Sequence, residues 1–136
     1  MSLVLDASAL IGWAMPDESN LDLEPVLMSH DVVLAPWLLW VELRNILLVS
    51  ERRGRLPAGM VEQLVSTFDA LAINLDISPD GPVVIDLARR HSLTAYDALY
   101  LETALRHGAE LASLDQALIR AARAEGVKVV AEGQGP

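Results

Sequence analysis

Four acidic side chains in this 136-residue sequence stand where they could do chemistry. Asp6 ends the apolar run Leu3-Val4-Leu5 and opens Asp-Ala-Ser-Ala; Asp115 follows Leu111-Ala-Ser-Leu in the same manner. Asp97 lies in Leu93-Thr-Ala-Tyr-Asp-Ala-Leu-Tyr, and Glu42 interrupts the apolar stretch from Trp37 to Val49. Three of them have an ordinary structural use. Asp6 and Asp115 precede helical patterns and can cap them, and Thr94 with Asp97 has capping-box spacing. Glu42 has no such use. A carboxylate with Leu38, Leu39 and Ile46 as helical neighbours is costly unless it is ion-paired or metal-bound. Asn45 lies about 60° round an ideal helix from Glu42 and can share its site. Carboxylates that gather raise one another's pKa, and a divalent cation relieves that repulsion. With no cysteine and no histidine at ligand spacing, an all-oxygen donor set favours Mg²⁺ or Mn²⁺ over Zn²⁺. Phosphoryl or phosphodiester transfer is the chemistry such a site commonly serves.

Strands that stop at the acids would bring them together. Apolar runs over 3–5, 32–35, 73–77, 110–113 and 127–130 predict five strands. Helical patterns cover 7–15, 21–29, 37–53, 57–71, 83–91, 95–106 and 116–124. Pro16 is expected to end the first helix and Pro57 to start the fourth, while Gly54, Gly108 and Gly126 close three others. Strands alternating with helices imply right-handed crossovers and a mainly parallel sheet covered on both faces, an α/β fold. Ligands of such sheets bind outside the carboxyl ends of the strands, where Asp6 and Asp115 stand. Length suits one domain over residues 1–131, with a frayed tail over 132–136.

Composition narrows the function. A net charge of −9 argues against a general nucleic-acid coat. It leaves room for a nuclease, because metal ligands are themselves acids. No signal peptide is evident, and the longest apolar stretch, 32–41, is too short to span a bilayer. A soluble, cytoplasmic protein is expected, without contact to membranes.

The four segments taken in order, 4–10, 42–45, 93–100 and 114–115, resemble the PIN-domain family, and among its members the VapC-type toxins of toxin–antitoxin pairs. The resemblance covers nearly the whole chain. It implies a three-layer PIN-like fold around a five-stranded parallel sheet, and an endoribonuclease dependent on Mg²⁺ or Mn²⁺. It implies Asp6 and Asp97 as principal metal ligands, Glu42 as the helix-borne acid, and Asp115 as a last acid acting through water or a second metal. Ser8 matches a hydroxyl that hydrogen-bonds within the site, and Thr94 and Asn45 match supporting polar positions. RNA as substrate, a cognate antitoxin and a homodimer follow from the same resemblance. The alternatives are a PIN-type nuclease of RNA processing without an antitoxin, and a catalytically idle protein-binding module. A receiver-like phosphoacceptor needs a lysine near the site, yet the only lysine, Lys128, falls in the last predicted strand. A phosphatase of the haloacid dehalogenase kind needs a second Asp where Ser8 stands.

Other features have two readings each. Arg52, Arg53 and Arg55 follow the long helix, and Arg89, Arg90, Arg106, Arg120 and Arg123 are spread over later ones. They are either solvated helix ends or phosphate contacts. His30, His91 and His107 are read as surface residues. The long helix is apolar nearly all round, with Trp37, Trp40, Arg44 and Leu47 opposite Glu42. Burial in the core is the default; contact with a second copy or a partner is the alternative, to which Ile11 and Trp13 could add.

Overall fold

Three consecutive residues without exposure, Leu3, Val4 and Leu5, form most of β1 (Ser2–Leu5). An unbroken apolar run is what a strand covered on both faces requires. In the computed structural model, which describes residues 1–15 and 21–130, β1 is the centre of a five-stranded sheet. The other strands are β2 (Val32–Pro36), β3 (Asn74–Asp76), β4 (Glu110–Ala112) and β5 (Val129–Val130). All neighbours pair in parallel, in the order β3-β2-β1-β4-β5. Seven helices flank the sheet among the described residues: α1 (Ala7–Ala14), α2 (Leu23–Met28), α3 (Leu38–Arg52), α4 (Met60–Asp69), α5 (Gly81–His91), α6 (Ala95–His107) and α7 (Gln116–Ala124). This is the expected three-layer α/β architecture. Pro16 and residues 132–136, on which two expectations fell, lie outside the described residues.

The strand order decides where a site can form. The chain moves outward from β1 through β2 to β3, then returns to the other side of β1 as β4 and β5. The direction of winding therefore reverses between β1 and β4, and such a switch point leaves a crevice at the carboxyl ends of the two strands. Helix α6 packs across β1, β2 and β4, and α3, which starts where β2 ends, packs on β2 and α1.

Several expectations are corrected. Helix α4 starts at Met60, not at Pro57. The Met60 N–H donates to the Pro57 carbonyl in a turn, and Gly59 precedes the helix at φ 87°, a conformation that suits glycine. Helix α5 starts at Gly81, because Asp80 caps the Val83 N–H and Pro82 is tolerated in a first turn. The long helix is buried along one stripe only, Leu39, Leu43, Leu47 and Ser50. Trp37 and Trp40 stay 51% and 43% exposed. Ile11 belongs to the core, and Trp13 packs against it while staying partly exposed.

His30 is not a surface residue. Its side chain is 6% exposed, and its Nε2 lies 3.0 Å from Glu110 Oε1. Nor are all the arginines free. Arg106 forks onto Asp76, with Nη2 at 2.8 Å from Oδ1 and Nη1 at 2.9 Å from Oδ2, while its Nε donates to Glu102 Oε2 at 2.7 Å. His107 Nε2 lies 2.7 Å from Asp76 Oδ2. This cluster ties the end of β3 to the end of α6, and the Arg106 guanidinium holds the Asp76 carboxyl well below its ordinary range. Arg90 and His91 both reach Glu125, at 2.7 and 2.6 Å. Arg52, Arg53 and Arg55 are exposed.

Candidate metal centre

Asp6 directly follows β1, and its side chain is spoken for. Its Oδ1 accepts from the Ala9 N–H at 2.9 Å and from Ser8 Oγ at 2.7 Å; its Oδ2 accepts from Ser113 Oγ at 2.5 Å. It is thus the helix cap that its position allowed, and it is also 4% exposed. Burial pushes its carboxyl up to about 6, against the lowering effect of Ser113, Ala9 and Ser8, and the charge of Asp115 pushes the same way. Asp115 reaches that neighbourhood from β4. Its Oδ1 accepts from the Leu118 N–H at 2.9 Å, and its own N–H donates to Ser113 Oγ at 3.0 Å. Capping and membership of one acidic group are compatible for both residues.

Asp97 differs from the expectation of a reciprocal capping box. Thr94 Oγ1 accepts from the Asp97 N–H at 3.1 Å, so Thr94 alone caps α6. No described residue donates to the half-buried Asp97 carboxylate, which leaves both its oxygens open. Burial first, then the charges of Asp115 and Glu42, push its carboxyl up to about 6. Glu42 sits on the second turn of α3, half-buried, and its Oε1 accepts from Tyr100 Oη at 2.6 Å. Burial holds the Tyr100 hydroxyl well above its ordinary range, followed by the hydrogen bond to Glu42 and the charges of Glu42, Asp6 and Asp97. The four acids are therefore electrically coupled, with Asp115 linking Asp6 to Asp97, and Glu42 linked through Asp97 and Tyr100.

The supporting residues divide. Ser8 is built into the group, since its Oγ also accepts from the Leu114 N–H at 2.8 Å. Thr94 acts on the backbone of Asp97. Asn45 is exposed and makes no hydrogen bond to Glu42. Two residues were missed by sequence reasoning. Ser113 is fully buried between Asp6 and Asp115, and its signal was its place two residues before Asp115, in the strand's exit. Tyr100 stands three residues after Asp97, hence on the same side of an ideal helix.

The donor chemistry suits a hard divalent cation. All the groups are oxygens, and two of them carry carboxyls raised by burial and like charge, which a cation would reverse. Among the described residues no three acidic or imidazole side chains already converge as a metal cage. Mg²⁺ needs no such cage: it is typically held by one or two carboxylates, with waters and substrate phosphate completing the shell.

The family model described as PIN domain matches residues 3–124. Ribonuclease VapC3 of Pyrobaculum aerophilum is 32% identical over 128 residues, covering 87% of this chain and 92% of the relative. Among solved structures, PAE2754 from Pyrobaculum aerophilum superposes with a TM-score of 0.75 at 22% identity, covering 96% of this chain and 84% of that one. FitAcB from Neisseria gonorrhoeae gives a TM-score of 0.61 at 20% identity, over 93% and 95%.

Proposed function

The chain belongs to the PIN-domain family, and from that premise we propose that it is a metal-dependent endoribonuclease, the toxin of a type II toxin–antitoxin pair. The observation that carries the reading is the gathering of Asp6 and Asp115 about Ser113 at the carboxyl ends of β1 and β4, with Asp97 near enough to Asp115 and Glu42 to feel their charge. A related chain named as a ribonuclease supports it. Asp6 and Asp97 would hold Mg²⁺ or Mn²⁺, with Glu42 and Asp115 as further or water-mediated ligands. Such an ion, when bound, makes a water more acidic and offsets charge on the leaving oxygen.

The chain's own residues do the positioning. Ser8 and Ser113 lock the Asp6 carboxylate in one orientation, so little reorganisation is left when a cation arrives. Asp97 keeps both oxygens for it. Tyr100 donates to Oε1 of Glu42 and leaves Oε2 without a described partner, so Glu42 can accept a proton or a water. The reading includes RNA as substrate, a cognate antitoxin, the cytoplasm as its place, and pairing of two copies.

The test is cleavage of labelled single-stranded RNA with Mg²⁺, with Mn²⁺ and with EDTA. Cleavage with either metal and none in EDTA is expected. Full activity in EDTA overturns the role of the metal, and no cleavage with either metal overturns the nuclease. A finer expectation concerns Tyr100→Phe. Loss of a hydrogen bond that orients a ligand typically costs about 10- to 100-fold in activity or metal affinity. That loss is expected here with the fold retained, read as kcat at saturating metal and as the apparent metal affinity. An unchanged enzyme would place Tyr100 in packing alone.

A further inference from the structure

We infer that the cleft beside the amino end of α3 is a nucleobase subsite, in which the open face of Trp37 stacks on a base of the substrate strand. The inference rests on the ribonuclease reading and adds to it the means by which the strand is gripped.

The cleft has a volume of about 460 Å³ and is lined by Pro36, Trp37, Leu38, Ile77, Pro79 and Leu99. Its one charged liner is Asp76, whose carboxylate is taken by Arg106 and His107. The walls therefore present apolar surface without a free charge. Position links the cleft to the acids. It opens at the carboxyl ends of β2 and β3, in line with those of β1 and β4. Leu38 lies four residues before Glu42 on α3, about 6 Å along the helix axis. Leu99 lies two residues after Asp97 on α6, about 3 Å along the axis and on another side of that helix. The two helices that carry Glu42 and Asp97 thus also supply part of the cleft wall, at the same end of the sheet as the acids.

The indole is set for stacking. Arg44 places its guanidinium 3.7 Å from the centroid of Trp40. Trp40 in turn stacks with Trp37, centroids 6.1 Å apart and planes 14° from parallel. A row of guanidinium, indole and indole runs down α3 towards the cleft, and its last member is half exposed. Single-stranded nucleic acid is commonly gripped on such aromatic surfaces, backed by arginine. Charge favours the same occupant. A chain of net charge −9 gains little from a general attraction to phosphate, so contacts that do not depend on charge have the more to add to whatever hold a metal gives. Base stacking is such a contact.

The experiment uses a 12-nucleotide RNA centred on a cleavage site mapped with the wild-type protein and Mn²⁺, and a set of the same strand with one base removed at each position. Stacking of one base corresponds to roughly 5- to 150-fold in binding. One abasic position near the cut is expected to raise KM by that factor with kcat little changed. Trp37→Ala is expected to raise KM for the intact strand similarly and to make that abasic position silent, while Trp37→Phe keeps most of the wild-type behaviour. The Trp37 backbone N–H, which donates to the Asp76 carbonyl at 2.9 Å, is untouched by either change. An unchanged KM in Trp37→Ala, or an abasic effect that persists in it, overturns the subsite and leaves the nuclease standing. A Trp37→Ala protein that sediments as a smaller species than the wild type assigns the cleft to a second copy of the chain instead. A wild type that cuts no RNA removes the ribonuclease reading first, and the subsite with it.

Discussion

Asp97→Asn is expected to lower metal-dependent RNA cleavage by about a thousandfold, the equivalent of several kcal/mol of lost transition-state stabilisation. The substitution keeps the shape of the side chain and the Thr94 cap, which bonds to the Asp97 backbone rather than to its carboxylate. The fold should therefore stay intact. What is lost is the one carboxylate of the four with both oxygens open, and with it a charge that a cation would balance. Single-turnover cleavage at saturating Mn²⁺, with calorimetric titration of Mn²⁺ on both proteins, reads the two consequences. The variant should lose metal affinity along with rate. A variant that cuts RNA at the wild-type rate would remove Asp97 from the centre, and with it the reading of the site.

The second large effect is on stability, and its sign runs against habit. In metal-free protein at pH 7.5, Asp6→Asn is expected to be more stable than wild type by up to about 3 kcal/mol, since one pKa unit corresponds to about 1.4 kcal/mol. The folded Asp6 carboxyl titrates near 6, about two units above an ordinary aspartate. The folded state thus binds this proton more tightly than the unfolded one, and ionised Asp6 opposes folding. That penalty is fully present above pH 6. It fades as pH falls towards 4, where both states are protonated. The advantage of the Asn variant should therefore hold nearly level from pH 7.5 to about pH 6 and shrink between about pH 6 and pH 4. In that window Asp76, held low by Arg106, keeps its charge and its contribution. Urea denaturation in EDTA at several pH values measures the difference. Saturating Mg²⁺ should then reverse the order, because a ligand that binds only the folded wild type stabilises it by mass action. A pH-independent difference, or a variant that is weaker at pH 7.5, would show that hydrogen bonds from Ser8 and Ser113 outweigh the burial of charge.

These two residues also show how far a sequence can be read. The position of Asp6 after Leu3-Val4-Leu5 sufficed to place it at a strand's end, because a strand buried on both faces announces itself as an unbroken apolar run. Glu42 was conspicuous for the opposite reason, as a charge where the pattern had no room for one. Local chemistry also identified Asp115 and Thr94 as helix caps. The same patterns misjudged α3: counting apolar residues round a helix does not tell which of them meet a neighbour, so Trp37 and Trp40 were assigned to the core by default. Arg106 and His30 were misread in the same way, since their partners Asp76 and Glu110 lie far off in sequence.

Local sequence thus determined the elements, their alternation, and the acids at their ends, because helix and strand periods, caps and glycine stops act over a few residues. The tertiary structure alone decided the strand order β3-β2-β1-β4-β5, and with it the crevice between β1 and β4 where Asp6 meets Ser113. It also decided the bond between Glu42 and Tyr100, 58 residues apart, and the opening of a cleft beside Trp37. Each depends on which elements become neighbours, and that is set by packing over the whole chain, which no local pattern encodes.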